Sequence, residues 1–270
     1  ISVALYYAGF HIEFSKSSDK KKEASEFSML QIFTKLLTTL GPLVGAIFIS
    51  NVSFHILFFI VSGLLVVSVI PLFFTKDRKI PNPQISFKKV FNADSKKKAL
   101  AYQANGALSV TSGVLWPLFI FLTLKNVLSL GIIISLTSTL MIFFMFVIGR
   151  ISDKHKKKVL GIGIVTHSFS WITRLLFLSP IGVFINNFYA SVSYLAIDLP
   201  FSKFIYEQSK KTKDIANYFL FREYNLEIGR TLVLLIAFFT GNLYWTFLLS
   251  FFVTYGYLGL IKHWKILEGN

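Results

Sequence analysis

Ionisable side chains inside long apolar runs are the first candidates for chemistry, because a charge held in hydrocarbon is costly unless it faces protein or water. Glu223, Glu227 and Arg230 stand at i, i+4 and i+7 of one such run. At about 100° per residue they share a stripe about 60° wide. Glu227 falls about 18 Å along a helix starting at residue 215, near the middle of a bilayer. A carboxylate beside a guanidinium at that depth can exchange a proton as the pair opens and closes. The same pair can equally be a permanent ion-pair network that locks the helix to its neighbours. A second run carries Asn187, Ser191, Tyr194 and Asp198 on one narrow face, with Pro200 just beyond. A third places Tyr102, Asn105, Gly106, Ser109, Gly113 and Trp116 within an arc of about 100°, followed by Pro117. Such faces either line a cavity or make close helix–helix contacts. Arg222 points off its stripe and reads as a boundary residue. Lys35 and Arg174 lie near the ends of their runs, where long cations snorkel to the interface, and read as structural.

Other chemistries lack their residues. There is no Gly-x-x-x-x-Gly-Lys-Ser/Thr phosphate loop, no His-Glu-x-x-His and no Gly-x-Ser-x-Gly, and the five His are scattered. With no Cys, disulfides and thiolate metal sites are excluded. The expectation is of a protein that is not an enzyme and uses neither cofactor nor metal.

The elements that must position these residues are apolar helices. Hydrophobic residues make up 54% of the 270, and runs of roughly 20 recur, the length a ~30 Å hydrocarbon layer demands. Nine segments can be drawn, at 1–14, 29–50, 54–75, 99–124, 127–148, 159–179, 181–206, 215–240 and 243–261. Strands of a barrel would alternate strictly over about ten residues, and these runs do not.

Charge orients them. The net charge is +15, yet 22 of the 28 basic residues fall in alternate connections and the tail, which decides against a nucleic-acid surface. The clusters are Lys16 and 20–22, then residues 76–98, then Arg150 to Lys158, then Lys210 to Lys213, then Lys262 and Lys265. Lys125 is the one basic residue in the intervening connections. This is the positive-inside pattern, so the basic loops and the C-terminus are expected in the cytoplasm, against anionic headgroups. The first segment reaches only about 21 Å, and an odd number of spans leaves the N-terminus outside. Further helices are therefore expected upstream, making this chain a fragment. The basic loop at 76–98, with Pro81 and Pro83, is expected to divide a first unit at 1–75 from a second at 99–270.

The fifth connection reads Gly149-Arg-Ile-Ser-Asp153-Lys154-His-Lys-Lys157-Lys158. It resembles the loop signature of the major facilitator superfamily, Gly-x-x-x-Asp-Arg/Lys-x-x-Arg/Lys-Arg/Lys. That signature joins the second and third helices of a six-helix half on the cytoplasmic side, as this one does here. One departure is Lys156, where the family usually has Gly. The resemblance implies an all-α membrane bundle in which the nine segments correspond to helices four to twelve of twelve. Spans four and seven would then line the central cavity, giving Tyr102, Asn105, Ser109, Trp116, Asn187, Ser191 and Tyr194 to substrate. Gly149, Asp153, Lys154, Lys157 and Lys158 would gate the cytoplasmic side. It also implies secondary transport by alternating access. With no ATP-binding element, protons are the expected coupling ion, with Glu227 favoured as their site and Glu223, Arg230 and Asp198 as further candidates. An aromatic and amide lining suits proton-driven efflux of an amphipathic organic solute, an antiport across a bacterial-type plasma membrane. A non-transporting scaffold and a lipid-flipping member of the same fold are the alternatives.

Overall fold

The structure, a computed structural model, describes residues 23–74, 96–211 and 215–261. Every element among these residues is helical: α1 (Glu23–Asn51), α2 (Phe54–Phe73), α3 (Lys96–Val110), a π turn (Thr111–Leu115), α4 (Trp116–Leu124), α5 (Val127–Leu176), α6 (Pro180–Lys211), α7 (Ile215–Thr240), α8 (Leu243–Val253) and a 3-10 turn (Thr254–Tyr257). Six stretches are long and apolar enough to cross a membrane: Phe54–Pro71, Lys98–Leu124, Val127–Ser152, Lys154–Leu176, Pro180–Ser209 and Leu243–Ile261. Nine were expected. Of the others, α1 contributes a shorter apolar stretch, Leu36–Asn51, and α7 carries Arg222, Glu223, Glu227 and Arg230. The segment at 1–14, with Tyr6, Tyr7, His11 and Glu13, lies outside the described residues, as does most of the loop at 76–98.

Two helix ends use one device. Lys125 takes a left-handed conformation (φ 50°) and its N–H bonds the Phe121 carbonyl, closing α4. Asn126 follows in an extended conformation and caps α5 by accepting from the Ser129 N–H at 3.0 Å. At the other site Gly241 (φ 60°) ends α7, and Asn242 accepts from the Tyr244 N–H at 2.9 Å to start α8. Each pair of helices is thus joined through two residues.

The connection carrying Gly149 to Lys158 differs from the loop expected there. The chain stays helical through it and only His155 (φ −134°, ψ 44°) departs. Between Arg150 and Lys158 there is neither Gly nor Pro, and lysine-rich sequence has good helix propensity. Two spans therefore meet at a one-residue break inside α5.

Close packing relies on small residues, as expected where lipid removes the hydrophobic drive between helices. A Cβ added at Gly106 of α3 would sit 2.0 Å from the Leu226 carbonyl oxygen of α7, and one at Gly229 would sit 1.9 Å from that of Gln103. The two backbones touch through this reciprocal pair, and Gln103 Nε2 donates to Asn225 Oδ1 across the same seam at 3.0 Å. Gly131 of α5 takes α1 in a similar way, against Pro42 and Ala46. Large apolar side chains such as Phe58, Phe59 and Val66 lie exposed along α2, which suits a helix whose solvent is lipid.

Candidate functional site: a cavity between α1, α4, α5 and α6

A cavity of about 520 Å³ opens among the helices. The face predicted on α6 supplies Asn187, Ser191, Tyr194 and Asp198 to it. Ser112 and Gly113 of the π turn and Trp116 and Pro117 of α4 form a second wall. The first arm of α5 adds Thr137 and Ser138, its second arm His167 and Arg174, and α1 adds Thr38, Thr39 and Pro42. Hydrogen bonds tie the walls together. Trp116 Nε1 donates to Asn187 Oδ1 at 3.1 Å, and Asn187 Nδ2 donates to Thr137 Oγ1 at 3.1 Å. Asp198 lies within electrostatic reach of the Tyr194 and Tyr257 hydroxyls.

The π turn has a local cause. Pro117 has no N–H to offer the carbonyl four residues back, at Gly113, and its ring would strike it. Widening the preceding turn relieves the clash, and the Trp116 N–H reaches back to the Thr111 carbonyl.

That extra residue also divides the stripe drawn on α3 and α4. Gly113 and Trp116, at and beyond the wide turn, reach the cavity. Below it the same wheel positions do other work. Gly106 is the contact with α7, and Ser109 is exposed with its hydroxyl bonded to the Gly106 carbonyl at 2.7 Å. Tyr102 is fully buried, its hydroxyl 2.9 Å from that of Tyr218. Asn105 stands between the two environments, its Nδ2 donating to Tyr194 OH at 3.1 Å and Tyr257 OH at 3.0 Å.

Arg174 corrects the expectation of a snorkelling cation. It is only 3% exposed, and its guanidinium carbon lies 4.1 Å from the Trp171 ring centre and 4.7 Å from that of Trp116. Cation–π contact of this kind supplies about 2 kcal/mol when desolvated. Burying an ion costs several kcal/mol, so the contact offsets part of the penalty. Nε and Nη1 are buried without an acceptor among the described residues. His167 lies in the same wall, its Nδ1 3.1 Å from the Ala190 carbonyl. A carbonyl only accepts, so Nδ1 carries the proton and Nε2, also buried and unpartnered, presents a lone pair. His167 was not singled out from sequence, and Arg174 was read there only as a structural, snorkelling cation. The available signal was the Trp171–Arg174 spacing of three, which places ring and cation together on a helix.

The charged stripe of α7 lies outside the cavity lining. Arg230 Nη1 bonds Glu227 Oε1 at 2.5 Å, and these side chains are 21% and 35% exposed. Glu223 is buried at 4% exposure, and its ion-pair partner is Arg222, the residue set aside as a boundary charge. The stripe is therefore two ion pairs, with Arg222 rather than Arg230 beside Glu223.

Around the signature, Lys154 and Lys158 are exposed, Lys157 is half-buried, and a Cβ on Gly149 would meet nothing within 4 Å. The side chains of Asp153 and Lys35 lie outside the described residues. Lys156, at the atypical position, reaches Glu207 of α6 at 3.9 Å. No group of three or more His, Cys, Asp or Glu able to hold a metal occurs among the described residues.

Neither a curated protein nor a solved structure matches the chain. The sequence model described as "Major Facilitator Superfamily" matches residues 1–166, more than half of the length. With membrane-spanning helices on either side of a cavity, this all-helical, multi-pass membrane chain belongs to the Major Facilitator Superfamily of transporters.

Proposed function

We propose that this transporter is secondary active and works by alternating access, moving a small amphipathic organic solute outward in exchange for protons. The observation that carries the reading is the 520 Å³ cavity, whose walls come from four helices and mix tryptophan, tyrosine, amide and hydroxyl groups. Such a surface fits a molecule with an apolar body and a few polar points. Units at 1–75 and 99–270 rock about this site in a plasma membrane, with the basic loops inside. Gly149, Asp153, Lys154, Lys157 and Lys158 close the cytoplasmic side in one state.

Of the four coupling candidates, Asp198 is the one in the cavity lining, so we assign the proton to it. A carboxylate there is wetted from alternate sides as access switches. Glu223, Glu227 and Arg230 then serve as positioning charges on α7.

The test is flux through the protein reconstituted in vesicles, under an imposed pH gradient, with amphipathic amines, organic acids and sugars as probes. Wild type should accumulate at least one probe against its gradient. Asp198→Asn should retain exchange of that probe and lose its dependence on the pH gradient. An unaltered pH dependence in Asp198→Asn removes the assignment, and a wild type that moves no probe under any gradient removes the transport reading.

A further inference from the structure

We propose that Arg174 is a recognition site for an oxyanion, a carboxylate, sulfonate or phosphate group, on the molecule that occupies the cavity. The inference deepens the transport reading above and rests on it for the identity of the cavity. Arg174 lines the cavity, is 3% exposed, and has two guanidinium nitrogens buried without an acceptor. A permanently charged group in that position lacks the compensation that buried ions otherwise have. The two indoles supply attraction to the cation but no hydrogen-bond acceptor, leaving the Nε and Nη1 donors unused.

Among the described residues, internal sources of negative charge do not meet this need. Asp198 shares the cavity but lies eleven residues along α6 from Asn187, which the Trp116 indole ties to the Arg174 end. Eleven residues of helix span about 16 Å. The carboxylates of α7 are paired with Arg222 and Arg230. What the guanidinium geometry takes best is a planar or tetrahedral oxyanion bound through parallel N–H···O contacts. The cavity therefore has a cationic end at Arg174 and an acidic one at Asp198. Its occupant is an organic anion held by its charged group beside Trp116.

Thermal unfolding of the purified protein in phosphatidylcholine nanodiscs reads binding without requiring flux. Benzoate, benzenesulfonate and inorganic phosphate are the anionic probes, with benzamide and benzylamine as neutral and cationic ring controls. At least one anion should raise the wild-type melting temperature at concentrations where benzamide and benzylamine do not. Arg174→Gln should weaken that response at least about tenfold, the effect of losing one charge-assisted hydrogen bond. Arg174→Lys, which keeps the charge, should fall between them and covers the case in which the glutamine variant does not fold. Without anion, Arg174→Gln should melt no lower than wild type, because an uncompensated charge has left the interior. Replacing part of the phosphatidylcholine by phosphatidylglycerol distinguishes the sources. An Arg174-dependent rise with that lipid alone assigns the oxyanion to a headgroup, and a rise with the soluble acids assigns it to a solute. The proposal is overturned if anions stabilise wild type no better than benzamide does, or if their effect survives in Arg174→Gln. Binding through Arg174 in a protein that moves no probe would leave this site standing and remove the transport reading.

Discussion

Charge is handled in opposite ways in two regions of this membrane protein. On α7, Arg222 stands against Glu223 and Arg230 against Glu227, so both carboxylates have a guanidinium from their own helix. In the second arm of α5, Arg174 has two tryptophans and, among the described residues, no carboxylate. The packing differs in the same sense. α7 is pressed against α3 with backbones in contact at Gly106 and Gly229, whereas Gly113, beside the cavity, has open space where a Cβ would go. Pairing and close packing fix α7, while an unpaired cation beside empty volume leaves something for a ligand to complete. Charge at membrane depth is thus no guide to function until its partners are known.

The largest effect should come from breaking the tight side. Gly229→Ala puts a methyl group 1.9 Å from the Gln103 carbonyl oxygen, so α3 and α7 must separate. Overpacking costs about 1–3 kcal/mol, and more where the obstacle is backbone, as here. Gly113→Ala should change the melting temperature little, and equal losses in the two variants would erase the contrast. Next comes the buried ion pair. Arg222→Gln leaves the buried Glu223 without its adjacent guanidinium, a loss of about 3 kcal/mol. Arg222→Gln with Glu223→Gln should recover most of it, and a double variant as unstable as the single one would show that the pair is not coupled. The smallest effect belongs to the surface. Lys156→Ala should alter stability by no more than about 0.5 kcal/mol, because the partly exposed contact to Glu207 at 3.9 Å is the weak kind. A larger change would move that contact into the structural core.

What the sequence disclosed follows from how local each feature is. The α6 face was legible because Asn187, Ser191, Tyr194 and Asp198 lie on one uninterrupted helix, so the wheel and the structure agree on their shared side. The α3–α4 stripe was only half legible. The wheel assumes constant pitch, and the π turn at Thr111–Leu115 changes which side later residues occupy. The partner of Glu223 was missed because adjacent residues do not face each other along a helix. A long arginine side chain overcomes that separation by reach. Arg174 was missed for a tertiary reason. Near a span end it has the look of an interfacial cation, and its burial depends on Trp116 arriving from another helix.

The two-residue joint at Gly241 and Asn242 bears on how the chain enters the membrane during synthesis. With four charged side chains, α7 is not among the stretches apolar enough to cross unaided, whereas Leu243–Ile261 is. A joint this short leaves no slack for the two to be delivered separately. Such a joint favours entry of the two as one hairpin, in which the apolar limb offsets the cost of the charged one. The Arg222–Glu223 and Arg230–Glu227 pairs lie within α7 itself, so matching its charges requires no other helix.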